Sequence, residues 1–219
     1  MKYLKNVSPF QAGCKADRSA ADNTFLLRGC IDHAVYIGQP VYLVLYDYKQ
    51  CFDSLWLDES LLSLWRVGIQ DRMFAMLYQL NRNSDVTVKT SVGTTATFNV
   101  KKLVKQRTIS GTCLCSTSTG EYPVFNNESG IIIQDLKIGP LAFIDDLIDI
   151  NTSIGDVYKA YKKAAQFARL KKSVFNADNC EGLVVNCSHG APVQELFLDG
   201  QELLVKSFVR YLGDLCNEN

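Results

Sequence analysis

Between residues 19 and 37 apolar side chains recur at helical spacing: Phe25, Leu26, Cys30, Ile31, Ala34 and Val35. Ser19 stands where an N-cap belongs and Gly38 where a helix stops. After Pro40 the pattern changes to the apolar, β-rich run VYLVLYD, which ends at Asp47 and predicts a buried central strand. Residues 58–65 and 69–82 predict two helices separated by Gly68. Residues 85–90 and 95–100 alternate about Gly93 and predict a hairpin. The small residues of 111–120 read as helix, and the apolar runs 137–143 and 147–150 flank Asp145-Asp146 as a second hairpin. Residues 153–172 predict an amphipathic helix with Val157, Tyr161, Ala164, Ala165 and Ala168 inward and lysines outward. Short strands follow around 183–186, 195–198, 202–205 and 208–212, with Asp199-Gly200 as a two-residue hairpin turn. Helices and hairpins interleave without a regular βαβ rhythm. That predicts an α+β fold with a mainly antiparallel sheet packed on helices.

Composition narrows the picture. The chain has 219 residues, 47 % hydrophobic and 21 % charged, an ordinary globular balance that excludes collagen, wholesale disorder and a coiled coil. No repeat or Pro/Gly/Ser linker divides it, so one continuous unit is expected. The longest apolar stretches, 40–46 and 138–144, fall far short of the roughly 18 residues of a membrane span. No run near the start suits a signal peptide, so an intracellular protein of nucleus or cytoplasm, without a membrane partner, is expected. The 8 cysteines include no C-x2-C pair, and His33 and His189 lie far from any cysteine pair, which argues against zinc. The thiols read as small apolar residues. Lys+Arg and Asp+Glu balance at 23 each, yet the charges are segregated. Lys101, Lys102, Lys105 and Arg107 form one basic run, and Lys159, Lys162, Lys163, Arg169, Lys171 and Lys172 another. Asp145, Asp146 and Asp149 form an acidic run. Each is either a solvated face or part of a surface with distinct anion- and cation-facing parts.

The carboxylates carry the candidate chemistry. Asp47 closes the most apolar strand, where an uncompensated carboxylate is costly. Asp145 and Asp146 are bracketed by Phe143-Ile144 and Leu147-Ile148. If that hairpin lies beside the Asp47 strand, three carboxylates converge, and a divalent metal pair is their usual compensator in phosphoryl transfer. The alternative is two unrelated surface turns.

The surrounding residues resemble a family. Asp47-Tyr48-Lys49-Gln50-Cys51-Phe52-Asp53 resembles the first catalytic block of reverse transcriptases, and Phe143-Ile144-Asp145-Asp146 their aromatic-x-Asp-Asp block. Lys105-Gln106 through Gly111 resembles the Gln-containing middle block. Upstream, Gln11-Ala12-Gly13-Cys14-Lys15 to Arg18-Ser19 resembles the block that precedes the palm. Downstream, Arg210-Tyr211-Leu212-Gly213 resembles the primer grip. The blocks are collinear over residues 9–216, and the closest likeness is to the polymerase of non-LTR, long interspersed element type, retrotransposons.

The resemblance implies an RNA-directed DNA polymerase with a ferredoxin-like palm and partial fingers. Residues 1–39 would be a finger-edge remnant, 40–206 the palm and 207–219 the primer-grip region, with the thumb absent. Asp47, Asp145 and Asp146 would hold two Mg²⁺ ions, or Mn²⁺ in their place. The Tyr48 carbonyl would face the nucleotide-side metal, and Phe52 would stack under the incoming sugar and exclude a 2′-hydroxyl. Gln106 and Gly111 would border the nucleotide, and Tyr211, Leu212 and Gly213 would press on the primer backbone. Partners would be an RNA template, a DNA primer and deoxynucleoside triphosphates. The chain also departs from the family. Arg107 stands for a Gly, Ser110-Gly111-Thr112 lacks an expected Pro, Asn179 stands for a Lys, and Cys14 for a Phe. The fingers blocks of the family precede the part represented here. These departures imply a truncated or degenerate copy, either weakly active or a non-catalytic descendant binding nucleic acid or a protein. A nucleotidyl cyclase-like palm would share the sheet and carboxylates, without Phe52 or the 211–213 turn.

Overall fold

The computed structural model describes residues 7–82, 85–99, 108–186, 196–198 and 201–217. Strand β1 (Val41–Tyr46) is the centre of a six-stranded sheet. Its neighbours β9 (Asp146–Asn151) and β10 (Glu181–Val185) both run antiparallel to it. Beyond β9 lies β8 (Leu141–Phe143), and beyond β10 come β12 (Gln201–Lys206) and β11 (Leu196–Leu198). The sheet is mixed, because β10 and β12 are parallel while the other pairings are antiparallel. The mainly antiparallel α+β expectation therefore holds with one parallel step.

Both faces of the sheet are covered, which is why β1 reads as a continuous apolar run and not as an alternation. Val44, Tyr46 and Leu147 face a cluster with Leu55, Leu61, Leu64, Leu114, Tyr122 and Phe167. Those residues come from α2 (Cys51–Ser54), α3 (Leu57–Arg66), α5 (Ile109–Thr119), α6 (Tyr122–Phe125) and α7 (Ile154–Leu170). Val41, Leu43, Ile148 and Ile150 face the other side, against α1 (Ala20–Tyr36) and the hairpins β6–β7 (Ile131–Ile133, Leu136–Ile138) and β13–β14 (Phe208–Tyr211, Asp214–Asn217). Helix α4 (Asp71–Arg82) follows α3 after Gly68, whose positive φ ends the helix.

Several expectations are corrected. Helix α1 starts after Ser19 as expected, with Asp22 Oδ2 accepting from the Ser19 backbone N–H at 2.6 Å. It buries a different face, however: Asn23, Leu27, Cys30 and Ala34 are inward, and Phe25 is 77 % exposed. The polar Asn23 is inward because its side-chain N–H donates to the Ala142 carbonyl at 2.8 Å and lies 3.3 Å from the Tyr211 hydroxyl. The run 137–143 is broken, since Lys137 belongs to β7 and only residues 141–143 join the sheet. The hairpin around Gly93 forms as two short pairs, β2 (Asp85–Val86) with β5 (Phe98–Asn99) and β3 (Lys89–Thr90) with β4 (Gly93–Thr94). Their registers differ by one residue, the mark of a bulge. Lys171 is not on the outward basic face of α7. It is buried and bonded to Ser63 Oγ and Glu121 Oε2, both at 2.8 Å. Asp199-Gly200 and the basic run at Lys101, Lys102, Lys105 and Arg107 lie outside the described residues, as do His189 and Cys187. No helix among the described residues is long and apolar enough to cross a membrane.

Candidate active site

Asp47 is the first residue beyond β1. Tyr46 pairs with Leu147, the last rung of this ladder, and Asp47 and Asp146 each lie one residue beyond it. The chain leaving β1 is fixed by the segment after α7: Lys49 N–H donates to the Val174 carbonyl at 2.9 Å, and Asn176 N–H to the Asp47 carbonyl at 2.8 Å. The side-chain amides of Asn176 and Asn179 donate to Asp47 Oδ2 at 3.3 and 2.9 Å. Asn179, which stands where the resembling family carries a Lys, is thus in contact with the first carboxylate.

Asp145 and Asp146 follow Ile144, whose φ of +58° is a left-handed conformation that a β-branched residue strongly disfavours. Gln11 holds it there. Gln11 Oε1 accepts from the Ile144 N–H at 3.0 Å and from the Gly13 N–H at 2.9 Å, while Gln11 Nε2 donates to the Ile144 carbonyl at 3.3 Å. Thr119 Oγ1 donates to the same carbonyl. Residues 10–12 also run along β8, exchanging the bonds Ala142 N–H to Phe10 O (2.9 Å) and Ala12 N–H to Ala142 O (3.0 Å). A Cβ on Gly13 would sit 2.6 Å from the Ile144 nitrogen, so the close approach requires glycine. The Gln-x-Gly spacing seen in the sequence is therefore the support of the Asp145 turn.

The carboxylates feel one another. Burial raises the Asp146 carboxyl to about 6, and the charges of Asp145 and Asp47 push the same way. Asp145 is likewise raised, first by burial and also by Asp47. None of the three forms an ion pair among the described residues. Among the described residues no three His, Cys, Asp or Glu side chains are grouped closely enough to hold a metal ion. A hard-oxygen donor set of mutually repelling carboxylates suits Mg²⁺, which takes one or two carboxylates and fills its octahedron with water and phosphate.

The other expected residues divide. Tyr48 is buried, its ring tilted against that of Phe175 with centroids 4.6 Å apart, and its hydroxyl has no partner among the described residues. Phe52 is half-buried against the core at the start of α2, five positions after Asp47. Gly111 is in the first turn of α5, its N–H taken by the Thr108 Oγ1 cap at 3.1 Å. Gln106 lies outside the described residues. Tyr211 is buried, facing Asn23, so what the 211–213 turn exposes is the backbone at Leu212 and Gly213, both at positive φ.

Asp149 was expected to share the acidic surface. It is instead fully buried, with the Tyr46 and Tyr122 hydroxyls donating at 2.8 Å each and Asn126 Nδ2 at 3.0 Å. Burial lifts its carboxyl to about 7, against the pull of these donors. A separate cleft of about 590 Å³ lies between α3, α6 and α7. It is lined by Glu59, Arg66, Glu121, Phe125 and Phe167, and none of the expected site residues borders it.

No family model matches the chain, and no curated protein does. Solved structures do. Telomerase from Candida albicans, in complex with a TWJ fragment of telomeric RNA, superposes with a TM-score of 0.66 at 12 % identity, over 100 % of this chain and 34 % of its own. Apo telomerase from Candida tropicalis gives 0.64 at 14 % identity over 99 % of this chain and 39 % of its own. A form truncated from its C-terminal domain gives 0.65 at 11 % identity over 99 % and 42 %. The chain thus spans well under half the length of the telomerases it matches. At such identities the likeness is one of fold: an α+β, mixed-sheet architecture shared with parts of those telomerase chains.

Proposed function

We propose that this chain is the palm of a reverse transcriptase, derived from a non-LTR retrotransposon, that adds deoxynucleotides to a DNA primer on an RNA template. What supports the reading is that Asp47 follows β1, that Asp146 opens the neighbouring β9 directly after Asp145, and that the charges of Asp47 and Asp145 are felt at Asp146. In this reading residues 40–206 are the palm, 1–39 a finger edge and 207–219 the primer-grip region. Asp47 and Asp145, supported by Asp146, would hold two Mg²⁺ ions, which when bound lower the barrier to attack by a primer 3′-hydroxyl and balance charge on the leaving pyrophosphate. The chain's own residues do the positioning. Gln11 and Thr119 hold the Asp145 turn, and Asn176 and Asn179 orient Asp47. Phe52 would lie under the sugar and disfavour a 2′-hydroxyl by bulk, and Gln106 and Gly111 would flank the base. The turn at Leu212 and Gly213 offers backbone, not the Tyr211 ring, to a primer.

One observation favours a second reading, a non-catalytic descendant that binds nucleic acid or a protein. Asn179 gives no acid for the leaving group and its amide occupies Asp47 Oδ2. Primer extension on an RNA template with Mg²⁺ and deoxynucleoside triphosphates separates the two. Extension abolished by Asp145→Asn supports the polymerase; template binding without extension in the unsubstituted chain supports the descendant.

A further inference from the structure

The outward face of α7 carries Lys159, Lys162, Lys163, Gln166 and Arg169, spaced three and four apart over about 15 Å of helix. Several cations on and beside this face are matched by acids. Lys159 pairs with Asp156 at 3.0 Å and Lys172 with Glu59 at 3.2 Å, while Lys171 and Arg66 share Glu121 at 2.8 and 3.3 Å. Lys162, Lys163 and Arg169 have no ion pair among the described residues. The same face borders the cleft of about 590 Å³ between α3, α6 and α7. Leu170, at the end of α7, lines that cleft and is exposed, as is Val124 on α6. Lys163 Nζ lies 5.5 Å from the centre of the Phe125 ring, another part of the cleft wall. Unmatched cations and an apolar recess therefore adjoin.

We propose that this face of α7 binds single-stranded nucleic acid, with phosphates on Lys162, Lys163 and Arg169 and an unstacked base in the cleft. The division of labour follows from charge. Glu59 and Glu121 lie in the cleft wall and repel a phosphate from its interior. A base is flat and uncharged, and Val124, Phe125 and Leu170 offer it an apolar surface. The phosphates left outside meet the cations that have no acid of their own, and each contact releases a condensed counterion. A cationic track beside an aromatic, apolar recess is the arrangement that holds a single strand without reading its sequence. A duplex keeps its bases paired inside and would gain from the cations alone. None of Asp47, Asp145 and Asp146 borders the cleft, so the site stands apart from the carboxylates and does not depend on the polymerase reading.

The test uses the whole chain with a fluorescent oligouridine, in EDTA and without nucleoside triphosphates, so that polymerase activity plays no part. Anisotropy titrations at several salt concentrations give the affinity and its salt slope. Lys162→Ala with Arg169→Ala should weaken binding by about tenfold and lower the slope by about 1.4, the share of two phosphates on a single strand. The same sequence annealed into a duplex should bind more weakly, and polyglutamate should compete poorly. Oligouridine carrying 4-thiouridine, irradiated on the unsubstituted chain and mapped by peptide mass spectrometry, should crosslink within residues 117–125 and 159–171. Crosslinks confined to other segments, a duplex bound as tightly as the single strand, polyglutamate competing as well as oligouridine, an unchanged salt slope in the double variant, or no binding at all would overturn the proposal. The crosslink map needs no substitution, so it decides even if the variant fails to fold.

Discussion

Strand β9 carries two kinds of aspartate three residues apart. Asp149, in its middle, is fully buried and served by two phenols and an amide. Asp146, at its start, reaches solvent at the strand end, and the partial burial of its carboxyl is compounded by two neighbouring carboxylates. The environments are opposite in kind: neutral donors converge on Asp149, and like charges converge on Asp146. A buried carboxylate wrapped by donors is held for the fold, since removing it orphans every donor. A cluster of like charges at a strand end costs stability, and in the proposed reading a bound cation would offset that cost.

The comparison breaks most sharply at Asp149. Asp149→Ala should cost about 3–5 kcal/mol in urea unfolding, because the Tyr46, Tyr122 and Asn126 donors lose their acceptor in a dry interior. Asp149 should also give stability a pH dependence. In the folded chain it keeps its proton up to about 7, whereas an unfolded aspartate releases it near pH 4. Between those values the folded state binds more protons, so stability should fall as pH rises, by about 4 kcal/mol over the window, and level off above it. Asp149→Asn should flatten that part of the profile; an unchanged slope would mean Asp149 is ionised in the fold.

Smaller effects sharpen the other half. Gly13→Ala places a Cβ against the Ile144 backbone and should cost about 2 kcal/mol. Asp145→Asn should leave the metal-free melting temperature unchanged or raise it by a degree or two, because it removes self-repulsion from the cluster. A clear fall would make Asp145 a turn residue held for structure.

Much of this was legible in the sequence where one local rule suffices. The apolar run before Asp47 gave β1 its central place, and the helical spacing after Ser153 marked α7. What escaped depends on contacts distant in sequence. Gln11 is 133 positions from Ile144, so its motif was visible while its task was not. Asn23 turned α1 because two acceptors wait for it on β8 and β13, which no hydrophobic pattern encodes. Lys171 looked outward by composition and is inward because Glu121 and Ser63 meet it. Asp149 did carry a signal: it alternates with Ile148 and Ile150 in a strand apolar on both faces, where a charge is buried unless the strand is an edge.

The most direct test of the central claim is Mn²⁺ binding to the metal-free chain, followed by the loss of the free-ion paramagnetic signal near neutral pH. The unsubstituted chain should bind up to about two ions. Asp47→Asn and Asp145→Asn should each weaken that binding by about tenfold or more, while Asp149→Asn leaves it intact. Equal binding by all four proteins, or none by the unsubstituted chain, would contradict the reading of Asp47, Asp145 and Asp146 as one cation site.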